Sequence, residues 1–580
     1  MGEDLRPHSG RPAEPRQRRE GHFMNVRCLL LLSQICLALL AGISCTSGRN
    51  DSSGFGAGVS PEALKAHLEF LADDALEGRR TGTRGHELAA KYLAAQFAAL
   101  GLKGGMQDGS YYQKVPFRRT EVLPEATSLT LSGDGKTTKL KYTSDFLLLD
   151  THQATQGSVR APVVFVGYGV SAPELDYDDY AGLDVKGKIV AMLNFEAPPK
   201  FPPPVRAYYM DGDVKRETAA VHGAAGILYV RTPELEKKFP WPFFQRELAI
   251  GFNSMRWLDA QGSVGGLDAR LGSAPLLNRA AAEALFDGEK YTLAEIFAAS
   301  ANGEPPPFTT TKTMTLRYES RHTGVESANV VAVMEGSDPD LKDEYVVFST
   351  HLDHLGIGPA VDGDSIYNGA YDNASGCAIM LEVARAFSQL PSAPRRSVMF
   401  VAVTGEEQKL LGSDYFANNL PVPPGQVVAD INFDEPIPFV PSLRDVIVYG
   451  SEHSSLGPTA AQAAEEAGFE LSPDPWPEEG IFVRADHYSF VKQGVPASYI
   501  APGYKSSEQG VDGLEVLKEW LVTFYHSPKD DTSQTFDYPI GARFARFAGL
   551  MGYKIAMDSE RPRWNEGDFF GNQFGRDGGE

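Results

Sequence analysis

Hydrophobic residues recur at helical spacing soon after residue 60. Ser60-Pro61 places a capping hydroxyl before a proline in the first turn, which is typical of a helix start. The apolar residues that follow on one face are Leu64, Leu68 and Leu71. A second helix is predicted from about Gly85 to Leu100, after a turn-rich link from Glu77 to Thr83.

The pattern changes after Val159 to short apolar runs bounded by Gly and Pro. Such runs are typical of strands, and they predict a small β-rich module of roughly 150 residues. The clearest runs are Pro162 to Gly169, Gly187 to Leu193 and Ala224 to Val230.

Strands and helices alternate after about Asn329. A helical pattern is clear from Ala378 to Leu390, where apolar side chains share one face. The apolar runs around it are Tyr345 to Ser349, Ser397 to Val403, Val427 to Phe433 and Val495 to Ile500. This alternation predicts an α/β fold with a mixed, largely parallel sheet flanked by helices.

These patterns divide the chain into five parts. Residues 1–44 are predicted to be a leader, and residues 55–150 are the first part of the α/β domain. Residues 151–314 form the inserted β-rich domain, 315–558 the main part of the α/β domain, and 559–580 a loosely held tail. Deleting the insert is expected to leave metal binding largely intact and to alter substrate preference, because the predicted ligands all lie outside it.

The composition is that of a compact globular protein. Hydrophobic residues make up 42% of the chain and charged residues 22%. The formal net charge of -22 would repel phosphate backbones, so nucleic acid is excluded as a partner.

Residues 1–44 resemble a secretion signal. Arg27 precedes an apolar run from Leu29 to Ile43, which is shorter than the roughly 20 apolar residues that span a bilayer. The sequence Gly42-Ile43-Ser44-Cys45 resembles a bacterial lipoprotein box, which predicts a lipid anchor at Cys45. We therefore expect an exported protein of the periplasm or cell envelope.

Potential metal ligands follow the predicted strands. His351 follows one strand, Glu406-Glu407 the next and Asp434 the third, while Asp372 begins a helix and His526 lies in a turn. Side chains at the carboxyl ends of parallel strands meet at one edge of the sheet. Imidazole and carboxylate ligands suit zinc, and we expect a catalytic site with an open position for water.

The neighbours of these residues also have predicted tasks. Asp353, two residues after His351, is placed to accept a hydrogen bond from the imidazole nitrogen that does not bind metal. Glu406 and Glu407 are expected in a turn, because consecutive strand residues point to opposite faces. His354 and His487 remain open, with core or pocket-wall roles as well supported as ligation.

The ordered motifs resemble the co-catalytic zinc aminopeptidase family, which includes glutamate carboxypeptidases. They are His351-x-Asp353, Asp372-Asn373-Ala374-Ser375-Gly376, Glu406-Glu407 with Leu410-Leu411-Gly412-Ser413, Asn432-Phe433-Asp434, Arg484-Ala485-Asp486-His487 and Tyr525-His526. Gly167-Tyr168-Gly169, Asp178-Asp179-Tyr180 and Lys186-Gly187-Lys188 resemble the protease-associated domain that some members insert.

The resemblance implies two zinc ions and a peptide substrate. His351 and Asp434 would hold one zinc ion, Glu407 and His526 the other, and Asp372 would bridge them. Glu406 would be the general base. The residues implied in substrate binding are Arg484, Asp486 and His487.

Several activities fit such a centre. An aminopeptidase is the first expectation, and a carboxypeptidase of the same family is the main alternative, with Arg484 as a candidate for capturing a terminal carboxylate. A glutaminyl cyclase uses one zinc ion, and receptor-like relatives have lost ligands. The retention of five ligands favours hydrolysis over both.

Overall fold

A mixed sheet lies at the centre of the computed structural model, which describes residues 55–56, 58–251, 254–266 and 271–575. Four of its strands are buried along nearly their whole length because helices cover both faces of the sheet. These central strands are Tyr345–His351, Ser397–Val403, Val427–Phe433 and Ala497–Pro502.

The four central strands run parallel. Tyr345–His351 lies between Ser397–Val403 and Val427–Phe433, and Ala497–Pro502 follows beyond Val427–Phe433. The other strands of this main sheet are Lys103–Gly104, Tyr112–Val122, Met255–Trp257, the second half of Phe308–Met334, Asp445–Tyr449 and Glu470–Ser472. The prediction of a mixed, largely parallel sheet is confirmed, and the carboxyl ends of the central strands share one edge.

Helices begin close to where the sequence predicts them. In Pro61–Leu71, the Ser60 hydroxyl accepts a hydrogen bond from the amide of Ala63 at 3.2 Å, which caps the first turn. The other helices around the main sheet are Arg84–Ala99, Ser375–Ser388, Leu411–Asn418, Leu456–Ala467, His487–Val491, Gly513–Thr523, Tyr538–Met557 and Phe569–Phe574.

A second sheet forms from the insert and the segment before it. Its strands are Ser128–Gly133, Lys136–Leu140, Phe146–Leu149, Gln156–Phe165, Ile189–Leu193, Gly226–Val230, Ala274–Leu277 and the first half of Phe308–Met334. Its helices are Pro203–Met210, Gly212–Val221, Pro233–Lys238, Trp241–Ile250, Arg279–Phe286 and Leu293–Ala301. The boundary predicted at residue 151 therefore falls inside this sheet, and the insert combines strands with helices.

The strand Phe308–Met334 belongs to both sheets. Residues 313–319 pair with residues 156–162 of the second sheet, and residues 320–330 pair with residues 112–122 of the main sheet. The chain therefore passes from one sheet to the other without a loop.

The last described residues pack onto the main part of the molecule. Phe570 is fully buried, and the indole nitrogen of Trp564 donates to the carbonyl oxygen of Gly494 at 3.0 Å. The expectation of a loosely held tail is therefore wrong for residues 559–575. The predicted leader and Cys45 lie outside the described residues. Within the described ranges, no helix is long and apolar enough to cross a membrane.

Candidate metal centre

The predicted ligands gather at the carboxyl edge of the main sheet. His351 ends one central strand, Asp434 directly follows the next, and Glu406 with Glu407 occupies a 3-10 turn after the third. Because the two glutamates lie beyond their strand, their carboxylates can face one cleft, as the sequence predicts.

One group of potential ligands surrounds His351. Its Nε2 atom lies 3.1 Å from Asp434 Oδ1 and 3.2 Å from Asp372 Oδ1. Glu406 is slightly farther away, with Oε2 at 4.0 Å from the same nitrogen. Three potential metal ligands, His351, Asp372 and Asp434, thus converge from three separate segments of the chain.

A second group surrounds Glu407. Its Oε1 atom lies 2.6 Å from His354 Nδ1, and its Oε2 atom lies 3.2 Å from His526 Nε2. Asp372 Oδ2 is 3.8 Å from His354 Nδ1 and 3.7 Å from His526 Nε2. His354, whose role the sequence left open, is therefore part of this group.

Asp372 lies between the two groups on a tightly held turn. The amides of Tyr371 and Asp372 donate to the carboxylate of Asp530 at 2.9 and 3.1 Å. The side-chain amide of Asn373 donates to the carbonyl oxygen of Phe433 at 3.1 Å, at the end of a central strand. The turn is thus fixed from both sides, which directs the Asp372 carboxylate into the centre.

The link from Glu77 to Thr83 stabilises the backbone segments that carry the potential ligands. Arg79 is buried, and its guanidinium donates to four main-chain carbonyl oxygens that belong to Leu71, Leu352, Asn368 and Gly369. Two of these carbonyls directly precede the turn that carries Asp372. The link is therefore more than a connection between helices.

Asp353 acts differently from the prediction. The nitrogen Nδ1 of His351 faces the main-chain oxygen of Asp353 at 3.1 Å, and not its carboxylate. The carboxylate accepts hydrogen bonds from the Thr81 hydroxyl at 2.9 Å and from the Glu406 amide at 3.2 Å. It therefore orients the turn that carries Glu406, while the strand end itself orients His351.

The electrostatics of the centre are dominated by acids that are largely shielded from solvent. Burial raises the pKa of Glu406 well above its usual range, and the carboxylates of Glu407 and Asp486 raise it further. Burial and the carboxylates of Asp372 and Asp434 raise the pKa of Glu435 in the same way. Divalent cations would relieve this repulsion, so both the donor types and the charge fit metal binding.

The centre is open on one side. The side chains of Glu406 and Asp434 keep 16% and 19% of their surface exposed, whereas His351 keeps 1%. Solvent and substrate can therefore reach the centre beside these two carboxylates.

The predicted substrate-binding residues separate into two kinds. Arg484 has a 39% exposed side chain, and its Nη1 lies 3.7 Å from Glu479 Oε2. Asp486 and His487 are buried, and the His487 ring packs 5.0 Å from the ring of Phe482. Substrate binding by Arg484, Asp486 and His487 stays a prediction, with Arg484 alone of the three exposed at the surface.

The insert also contributes a residue that sequence reasoning missed. Glu247 is buried, and its Oε2 atom lies 3.7 Å from Nδ1 of His526. No local pattern marks this glutamate, because the two residues are far apart in the sequence and meet only in the fold.

Comparison with known proteins finds similarity in the main part of the chain. Residues 329–549 match the sequence profile of peptidase family M28 and include all members of the two ligand groups. A probable zinc metalloprotease of Pyrenophora teres f. teres (strain 0-1) is 37% identical over 111 residues, which cover 19% of this chain and 23% of that protein.

A second relative matches a longer segment. A probable leucine aminopeptidase 2 of Aspergillus fumigatus is 26% identical over 270 residues, covering 44% of this chain and 49% of that protein. The chain thus matches less than half the length of either relative.

A solved structure aligns with nearly the whole molecule. The aminopeptidase from Aneurinibacillus sp. strain AM-1 aligns with 87% of this chain and 95% of its own, with a TM-score of 0.50 and 20% identity. This likeness shows a shared fold. The segment that carries the strand-end histidines and carboxylates is therefore similar to peptidase family M28, and the chain shares the fold of this aminopeptidase.

Proposed function

We propose that the protein is a two-zinc exopeptidase that removes residues from the amino terminus of peptides. One observation carries this proposal. The two oxygens of Asp372 face different histidines, with Oδ1 at 3.2 Å from His351 and Oδ2 at 3.7 Å from His526. A carboxylate placed in this way can bridge two metal ions.

The remaining ligands divide around Asp372. His351 and Asp434 would hold one zinc ion, while Glu407 and His526 would hold the other, with His354 close to Glu407. Zinc ions bound there would lower the pKa of water and polarise the scissile carbonyl group. The names of the relatives, a probable zinc metalloprotease and a probable leucine aminopeptidase, support this choice of metal and reaction.

Glu406 would act as the general base. Its carboxylate lies at the open side of the centre, and its amide is held by the Asp353 carboxylate at 3.2 Å. From this position it can accept a proton from the attacking water and donate it to the leaving amine.

The acidic surroundings favour a substrate with a free amino terminus. Glu435 directly follows Asp434, and the carboxylates of Asp372 and Asp434 lie close enough to raise its pKa further than burial alone does. Carboxylates attract an ammonium group and repel a terminal carboxylate. Arg484 favours the carboxypeptidase alternative, because it is a cation with an exposed side chain whose charge acts on Tyr525, the residue before His526.

A substrate panel tests the proposal. Aminoacyl and carboxyl-terminal chromogenic substrates should be assayed with and without a chelator, and the zinc content of the purified protein measured. We expect hydrolysis of aminoacyl substrates, loss of activity with the chelator and two zinc ions per chain. Hydrolysis of carboxyl-terminal substrates alone would establish the carboxypeptidase, and one zinc ion without hydrolysis would favour the cyclase.

We propose further that the protein is exported and anchored by lipid at Cys45, and that the insert is a protease-associated domain. The leader sequence and the three short insert motifs support these assignments. Mass spectrometry of the mature protein tests the anchor, since a diacylglyceryl group on Cys45 supports it and an unmodified terminus elsewhere contradicts it.

A further inference from the structure

We infer that Glu247, a residue of the insert, positions His526 for metal binding. The inference rests on the proposed function, because that proposal makes His526 a metal ligand. The His526 ring lies between two carboxylates. Its Nε2 atom is 3.2 Å from Glu407 Oε2, and its Nδ1 atom is 3.7 Å from Glu247 Oε2.

The fold holds Glu247 in place. The helix Trp241–Ile250 starts with proline in its first turn and ends at Gly251, which adopts the left-handed conformation with φ 73°. Ile250 lies three residues after Glu247 and therefore on the same helical face. Ile250 is buried against Leu355 and Tyr367, so this face of the insert helix is fixed against the segment that follows His354.

The two oxygens of Glu247 have different neighbours. Oε1 lies 3.8 Å from Nε of Arg246, while Oε2 faces His526. Both Glu247 and His526 are buried, with side-chain exposures of 5% and 6%. The distance from Oε2 to Nδ1 exceeds ordinary hydrogen-bond range by roughly half an ångström.

The chemistry requires such a partner. A neutral imidazole that binds metal through one nitrogen carries its proton on the other. A carboxylate beside Nδ1 keeps the proton there and leaves the lone pair of Nε2 directed at Glu407 and Asp372. The Nδ1 atom of His351 has a partner close by in the sequence, because it faces the carbonyl oxygen of Asp353 at 3.1 Å.

The insert therefore takes part in the metal centre. This differs from the expectation that the insert can be deleted without loss of metal, which rested on the positions of the ligands alone. Glu247 does not touch the metal, the substrate or the reacting atoms in this assignment, so it is a positioning residue.

Zinc affinity of the full chain tests the role of Glu247 without any assay of activity. Glu247→Gln and Glu247→Ala should be compared with the wild type by competition with a chelator of known zinc affinity. Gln245→Ala is the matched control, because Gln245 lies on the same helix but donates to the carbonyl oxygen of Thr143 at 3.0 Å, away from the centre. We expect about tenfold to hundredfold weaker binding of one zinc ion in both Glu247 variants and wild-type affinity in the control.

A second comparison separates positioning from a general effect on folding. In a chain that carries His526→Ala, the change Glu247→Gln should not weaken zinc binding further. An equal loss of affinity with and without His526 would overturn the inference, as would unchanged affinity in Glu247→Gln. If the wild type bound no zinc, the proposed function would fail as well, whereas normal wild-type binding with an unaffected Glu247→Gln variant would refute only the role of Glu247.

Discussion

The two sides of the metal centre are built in different ways. The side around His351 and Asp434 comes from the ends of neighbouring parallel strands, and its histidine is oriented by a carbonyl oxygen two residues away. The side around Glu407 and His526 combines a 3-10 turn, a late turn of the chain and a glutamate from the insert. The first side is local in structure, whereas the second depends on contacts between distant segments.

The largest expected effect comes from the residue that both sides share. Asp372→Asn keeps the size of the side chain but removes the charge that would serve both groups. We expect loss of both zinc ions and activity at background level, measured by metal analysis and a chromogenic assay. Asp430→Asn is the matched control, because Asp430 is buried on a central strand and accepts from the Ser349 hydroxyl at 3.1 Å. Retention of two zinc ions in Asp372→Asn would contradict the bridging role.

Glu406 separates catalysis from metal binding. Glu406→Gln should lower the rate by about 10² to 10⁴ while zinc stays near two per chain, because the variant loses the base and no ligand. Glu407→Ala should lose metal together with activity. Near-normal turnover in the first variant, or full metal content in the second, would show that the roles of the two neighbours are assigned wrongly.

Asp150 tests how firmly the insert is joined to the main sheet. Its carboxylate, 9% exposed, lies 3.0 Å from Arg256 on a main-sheet strand and 3.4 Å from Arg216 on an insert helix. Asp150→Ala would leave two buried arginines without this partner and should lower the free energy of unfolding by about 3 to 5 kcal/mol in chemical denaturation.

The matched control is Glu121→Ala, which breaks an exposed pair with Arg321 and should change the free energy of unfolding by about 0 to 1 kcal/mol. Burial opposes ionisation of Asp150, but the two arginines lower its pKa below the usual value. Its contribution to stability is therefore complete above about pH 4 and is lost as the pH falls further. Equal effects of the two substitutions would contradict the buried link.

Replacing His354 should have the smallest effect of these substitutions. It tests whether His354 belongs to the ligand group around Glu407 and His526. His354→Ala removes the group 2.6 Å from Glu407 Oε1, so zinc affinity should fall by about tenfold to hundredfold. His487→Ala removes a histidine that is equally buried but packs among aromatic rings, and it should leave zinc affinity unchanged. Chelator competition measures both, and the same affinity in the two variants would remove His354 from the centre.

The sequence predicts the local side well for a physical reason. Ser397–Val403 and Val427–Phe433 have the predicted bounds, because strands covered on both faces appear as continuous apolar runs that stop where a polar ligand is needed. Lys136–Leu140 lacks such a run because all but its last residue are exposed. The sequence pattern therefore does not reveal this strand, and the predicted boundary of the insert falls after the second sheet has begun.

The other side shows what sequence patterns leave out. Asp486 and His487 lie beside Arg484 in one motif, but adjacency does not indicate which side chain points into the protein, and both are buried. Glu247 lies on a helix whose role depends on contacts with residues more than a hundred positions later in the chain. Such contacts are set by tertiary packing, and no pattern in the neighbouring sequence predicts them.

The strand Phe308–Met334 also has a mechanical consequence. Residues on its first half are hydrogen-bonded into the second sheet and those on its second half into the main sheet. Bending the molecule between the sheets would therefore have to break backbone hydrogen bonds in at least one of them, because this crossing contains no flexible linker. Force applied to the insert would be transmitted along the strand to Met334, beside the central strands whose ends carry the metal ligands.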